Sequence, residues 1–153
     1  MGDRMRIGIA NDHRGYRLKE YLKKELEKDY EIVDLGTDSE ESVDYPDYAF
    51  LLGENVSSGE LDYGIAICGS GIGISIACNK VPGIRCAKVS NAEEAKYTRE
   101  ENDANIVAFG EKTGEKEALE IVKTFLNTPF SKLGKHYRRI TKIAEYEEKR
   151  NDR

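Results

Sequence analysis

Five short runs of β-branched and apolar residues, set between segments of helical periodicity, constrain this chain more than any other feature. They cover residues 5 to 10 (MRIGIA), 30 to 35 (YEIVDL), 63 to 68 (YGIAIC), 84 to 89 (IRCAKV) and 105 to 109 (NIVAF). Runs of this length bounded by turn residues read as strands, and their alternation with helices reads as βαβ units feeding a parallel sheet. Between them, apolar residues recur one helical turn apart: Leu18, Leu22 and Leu26; Tyr48, Leu52 and Val56; Ala118, Val122, Phe125 and Leu126. Their other faces are rich in Lys and Glu, as helices that cover a sheet require.

The pattern predicts an α/β fold, a three-layer α/β/α sandwich around a Rossmann-like five-stranded parallel sheet. A last helix over about 135 to 150 carries Ile140, Ile143 and Ala144 on one face and charge almost everywhere else. So thin an apolar stripe is expected to pack partly on another subunit. With 153 residues and no repeat, linker or compositional break, residues 1–153 are expected to form a single domain.

Charge narrows the class of ligand. A formal net charge of -5 argues against nucleic acid, whose phosphates are held by a surplus of Lys and Arg, so any phosphate recognised here should be small and local. The opening residues do not resemble a secretory signal, and no run nears the roughly 18 apolar residues that span a bilayer. Three cysteines, Cys68, Cys78 and Cys86, form neither a disulfide framework nor a metal-ligand pattern. A reducing, cytoplasmic setting is therefore expected.

In open parallel sheets, ligands sit outside the carboxyl ends of the strands. After the first strand come Asn11, Asp12, His13, Arg14 and Gly15. Two readings stand: Asp12 caps the next helix with His13 merely exposed, or the cluster serves a ligand. The second histidine, His136, lies in the cationic run from Lys135 to Arg139, which is either a solvated helix face or a phosphate site. After the third strand the chain reads Cys68, Gly69, Ser70, Gly71, Ile72, Gly73. Alternating glycines let a ligand approach the backbone, and N–H groups opening a helix attract negative charge. The spacing is not that of a nucleotide-binding phosphate loop, nor of a dinucleotide fingerprint. Cys68, at the lip of this turn, is either a base in its thiolate form or a small buried hydrophobe. Cys78 and Cys86 are read as hydrophobes. No His, Asp or Glu set at ligand spacing points to a metal, and no cofactor is expected.

Four segments together, ICGSGIGISIACNKVPGIR (67 to 85), ESVDYPDYA (41 to 49), NDANIVAFGEKTG (102 to 114) and HYRRI (136 to 140), resemble the ribose-5-phosphate isomerase B family, which also includes galactose-6-phosphate isomerase subunits. The resemblance covers nearly the whole chain. It implies exchange of an aldose phosphate and its ketose through a cis-enediolate, in carbohydrate metabolism and the pentose phosphate pathway, with Cys68 as the base and Ser70 beside it. The N–H groups from Gly69 through Gly71 and Ile72 to Gly73 would hold the enediolate oxygen. Asp12, Tyr45 and Asn102 would contact sugar hydroxyls, and His13, His136 and Arg139 the phosphate. Sites lying between subunits of a homodimer or homotetramer are implied as well.

Three positions depart from the family pattern. Glu101 stands where ribose-specific members resemble one another in carrying a histidine that opens the sugar ring, and Lys112 and Lys135 stand for arginines. A carboxylate opens a ring only if tuned to do so, which leaves the work to Glu101 or Asp12. Lysine offers a point charge where arginine offers a fork. Isomerisation of a six-carbon phosphate such as allose 6-phosphate or galactose 6-phosphate stays open, as does a non-catalytic sugar-phosphate-binding module.

Overall fold

In the computed structural model, which describes residues 4–151, five strands form one parallel sheet in the order β2-β1-β3-β5-β4. The strands are β1 (Arg6–Asn11), β2 (Glu31–Asp34), β3 (Tyr63–Cys68), β4 (Cys86–Lys88) and β5 (Ile106–Gly110). Six helices connect and follow them: α1 (Tyr16–Leu26), α2 (Tyr45–Ser57), α3 (Ile72–Cys78), α4 (Ala92–Asn102), α5 (Glu115–Asn127) and α6 (Gly134–Asn151). The expected α/β sandwich is what forms. The third strand lies where it is predicted, while the fourth shrinks to three residues, which suits its edge position.

Strand five sits between strands three and four, an order that the reading of the sequence did not contain. All five residues of β5 are buried, whereas β4 and β2 are partly open. The most apolar run thus goes inside, and the runs carrying Lys88, Glu31 and Asp34 form the edges, where charge discourages pairing with another chain.

Side chains alternate across each strand, and along β1 and β3 the alternation separates large from small. Ile7, Ile9, Ile65, Ile67, Val107 and Phe109 project onto one face, against Leu18, Leu22 and Leu26 of α1, Ala95 of α4 and Ile121, Val122 and Phe125 of α5. Each leucine or isoleucine fully buried there contributes roughly 1.5–3 kcal/mol relative to exposure. The opposite face presents Ala10, Ala66, Cys68 and Ala108 to Ala49, Leu52 and Val56 of α2 and to Ile74, Ala77 and Cys78 of α3.

Helix α4 lacks a strong apolar period because its buried face is Ala95, Thr98 and Arg99. The Arg99 guanidinium lies over the rings of Tyr63 and Phe125 at 4.9 and 5.7 Å, and it donates to Asp103 Oδ1, the Ala104 carbonyl and the Thr128 carbonyl. One cation thereby ties α4 to β3 and α5. Asn102, placed by the sequence in a loop before strand five, is instead the last residue of α4. Helix α6 buries Ile140, touches α4, and is anchored where Glu147 accepts the Gly83 N–H at 2.7 Å; Ile143 and Tyr146 remain exposed in the isolated chain.

Lys19 of α1 is fully buried, its ammonium held by Asp34 Oδ1 and Oδ2 at 3.1 and 3.0 Å and by the Thr37 carbonyl at 2.7 Å. A charge so buried persists only when paired in this way. Burial pushes the Asp34 carboxyl up, but hydrogen bonds from the Gly36 N–H, Lys23 and Lys19 outweigh it and hold its pKa below the ordinary carboxylate value.

Candidate active site

The carboxyl ends of β1, β3, β4 and β5 converge on a cavity of about 880 Å³ lined by Asp12, Arg14, Tyr45, Cys68, Gly69, Ser70, Ile72, Gly73, Lys88 and Lys112, among others. A neighbouring cavity of about 590 Å³ is lined by His13, Arg17, Glu40 and Glu111, with Arg14 and Lys112 bordering both.

Asp12 caps a turn and also borders the cavity. Its Oδ1 accepts the N–H groups of Arg14 and Gly15 at 3.0 and 3.2 Å, capping the short 3-10 turn from His13 to Gly15. The same residue borders the larger cavity. His13 Nδ1 accepts the Val43 N–H at 3.2 Å, so the β2–α2 connection orients the ring and leaves Nε2 as the donor of the neutral imidazole.

Cys68 ends β3 and is buried, and its sulfur accepts the Gly71 N–H at 3.2 Å. Gly71 is left-handed, with φ 82°, and a Cβ there would lie 2.6 Å from the Phe109 carbonyl carbon. Only glycine meets both demands, a positive φ and backbone against backbone. Ser70 Oγ accepts the Ile72 N–H at 3.1 Å. Tyr45, first residue of α2, lies against Gly73, where a Cβ would be 2.6 Å from the phenol ring carbon Cζ.

The turns after β1 and β5 are joined by an ion pair: Arg14 Nη2 and Nε donate to Glu111 Oε1 at 2.7 and 3.2 Å. The hydrogen bond and then the charge of Glu111 raise the Arg14 pKa further, so the cation is permanent. Lys112 follows Glu111 in the 3-10 turn Glu111–Thr113.

A second group of predicted residues lies elsewhere. Glu101 and Asn102 end α4, and His136 belongs to α6, with His136 Nε2 at 3.6 Å from Glu101 Oε1 and His136 Nδ1 at 2.8 Å from Ser131 Oγ. Asn102 Oδ1 accepts from Thr98 Oγ1 at 3.0 Å and borders a third cavity with Arg85 and Ile143. Lys135 and Arg139 are exposed on α6. None of Glu101, Asn102, Lys135, His136 or Arg139 lines either cavity bordered by Arg14.

Sequence reasoning missed Lys88 and Glu111 as wall residues and gave Arg14 no role of its own. Arg14 was visible in the cluster after strand one; Lys88 and Glu111 lie at the carboxyl ends of β4 and β5, where the same strand-end rule could have found them. The Cys86 pKa lies well above the ordinary thiol value, through its hydrogen bond with Cys78 and then burial, as suits a hydrophobe. No helix among the described residues is long and apolar enough to cross a membrane.

Comparison with known proteins gives a consistent result. The family described as Ribose/Galactose Isomerase matches residues 7–143. The Bacillus subtilis protein named "Putative sugar phosphate isomerase YwlF" is 50% identical over 148 residues, covering 95% of this chain and 99% of its own. The structure of Clostridium thermocellum ribose-5-phosphate isomerase B superposes with a TM-score of 0.92 at 52% identity, covering 95% of this chain and 99% of that one. Mycoplasma genitalium ribose-5-phosphate isomerase B with bound ribulose-5-phosphate gives a TM-score of 0.90 at 37% identity, with 96% and 99% covered.

Proposed function

Because this chain belongs to the ribose/galactose isomerase family and is an aldose–ketose sugar-phosphate isomerase, we propose that it interconverts ribose 5-phosphate and ribulose 5-phosphate through a cis-enediolate, with Cys68 as the base. The observation that carries the reading is the position of Cys68: a sulfur already accepting a backbone N–H, at the wall of a cavity shared with Asp12 and Tyr45. The Cys68 thiolate removes the C2 proton of the open-chain aldose and returns it to C1, while the N–H groups from Gly69 to Gly73 hold the negative oxygen. Two of these have internal partners in the free chain, Gly71 on Cys68 and Ile72 on Ser70, so the oxyanion takes over donors that point inward already. Preorganised donors of this kind are worth about 3–4 kcal/mol each in a transition state.

Asp12 and Tyr45 contact sugar hydroxyls, and His13 and Lys112 lie toward the phosphate. Glu101, Asn102, Lys135, His136 and Arg139 are too far round the chain to join them, and in this reading a second copy supplies them in a homodimer or homotetramer. The exposed Ile143 and Tyr146 on the same helix support such contact. Ring opening falls to Asp12 of one copy or Glu101 of the other. One domain spanning 1–153, working in the cytoplasm on the pentose phosphate pathway, completes the proposal.

The test is proton exchange. Cys68→Ala is expected to lower turnover of ribose 5-phosphate by about 10²–10⁴-fold, the usual weight of a general base, with solvent deuterium no longer entering C2 or C1 and the sugar phosphate still bound. Undiminished exchange in that variant would remove Cys68 from the mechanism. Preference for allose 6-phosphate or galactose 6-phosphate over ribose 5-phosphate would keep the base and change the substrate.

A further inference from the structure

We propose that Arg14 is an anion-binding residue of this site, that its guanidinium grips the phosphate of the substrate, and that Glu111 is an internal competitor which the phosphate displaces. The identity of the substrate rests on the isomerase reading above; the anion site does not.

Position is the first argument. Of all the residues around the Cys68 cavity, Arg14 alone brings a guanidinium, and together with Lys112 it borders the His13 cavity as well. A Cβ built on Gly69 would lie 3.2 Å from Arg14 Cζ, Nε and Nη1, so the planar group covers the backbone one residue beyond Cys68. A ligand whose reacting carbons lie against Cys68 and whose anionic end turns toward His13 must pass this group.

The second argument is the state of the fork. Nε and Nη2 both end on one oxygen, Glu111 Oε1, while Nη1 makes no hydrogen bond to protein among the described residues. Guanidinium favours two parallel bonds to two oxygens, a geometry that phosphate supplies and a single carboxylate oxygen does not. The pair is also open to water, with side-chain exposures of 54% for Arg14 and 34% for Glu111. Such pairs gain little net attraction. A phosphate monoester brings about -1.5 to -2 charges and three acceptor oxygens, so exchange of carboxylate for phosphate is downhill.

Other cations nearby are less suited. Arg17 is engaged by Glu40, largely exposed, and lines only the smaller cavity, and Lys112 is a single ammonium with no fork.

Calorimetric titration of the full chain with inorganic phosphate at fixed low salt tests the proposal in Arg14→Ala, Arg14→Lys and Glu111→Gln, with circular dichroism as the folding control. Arg14→Ala is expected to weaken phosphate binding by about tenfold or more and Arg14→Lys by less, since charge survives and the fork does not. Glu111→Gln is expected to tighten it several-fold. In kinetics, the preference for ribose 5-phosphate over unphosphorylated ribose, taken as a ratio of kcat/KM values, should fall in Arg14→Ala and rise in Glu111→Gln.

The opposite signs are decisive, because a pair that merely clasps two turns would give losses in both variants. Equal phosphate affinity in wild type and Arg14→Ala, no phosphate binding by the wild type, or loss in Glu111→Gln would each overturn the proposal. Failure of the isomerase reading would look different: no sugar phosphate is turned over by the wild type, while the phosphate titrations still report on Arg14.

Discussion

The two faces of the sheet are built from different stock. On one, isoleucines, Val107 and Phe109 meet the leucines of α1 and the aromatic and branched residues of α5. On the other, every strand position facing α2 and α3 along β1 and β3 is glycine, alanine or cysteine: Gly8, Ala10, Gly64, Ala66 and Cys68. Bulk on the first face supplies area removed from water. Smallness on the second lets helices come close, with Leu52 of α2 lying 2.7 Å from where a Gly8 Cβ would be. The closeness has a functional result. It brings the starts of α2 and α3, with Tyr45 and Gly71, beside Cys68, so the face that contributes less burial is the one that shapes the site.

Three measurements break or sharpen this contrast. The largest effect is expected from the bulky face: Phe125→Ala, removing a fully buried ring packed edge-on at 5.6 Å from Tyr63, should lower unfolding free energy by about 3–5 kcal/mol in urea titration. Turnover per folded molecule should change little, and a matching collapse of turnover would mean that the faces are not separable. Next comes Gly8→Ala, which overpacks the small face with a Cβ 2.4 Å from Leu61 Cδ1, at a cost of about 1–3 kcal/mol. Here KM should rise along with the loss of stability, because α2 carries Tyr45; a purely thermodynamic effect would detach the small face from the site.

The smallest effect concerns pH at the rim of the bulky face. Because the Asp34 pKa is lower folded than unfolded, its contribution is fully present above the unfolded value of about 3.9 and is lost as pH falls through the folded value. The urea midpoint should therefore decline modestly below about pH 4, and NMR titration of the Asp34 carboxyl should place its midpoint below that of an ordinary aspartate. A raised midpoint would mean that burial defeats the Lys19 and Lys23 hydrogen bonds.

Much of this was legible in the residues. Short apolar runs and period-3.6 patterns located the strands and four of the helices because those elements bury apolar side chains. Helix α4 escaped the pattern because it buries Thr98 and Arg99, and a buried guanidinium satisfied by carbonyls and rings looks, in a sequence, like a solvated one. Lys19 escaped for the same reason, one position after Leu18 and in a run of charges. Asp12, Cys68 and the glycine turn were readable since strand ends are where ligands sit in such sheets, whereas Tyr45, at the start of α2, came only with the family resemblance.

By itself, the sequence determined that this chain makes a five-stranded α/β sheet and that Cys68 and Asp12 stand at its carboxyl end, because periodicity and strand ends are local properties. Only the tertiary structure decided that β5 slots between β3 and β4, that Glu111 thereby reaches across to Arg14, and that Glu101 and His136 pair on α4 and α6 away from Cys68. Those are contacts between residues up to 97 positions apart, set by which strand is apolar enough to lie inside the sheet, and no local pattern carries them.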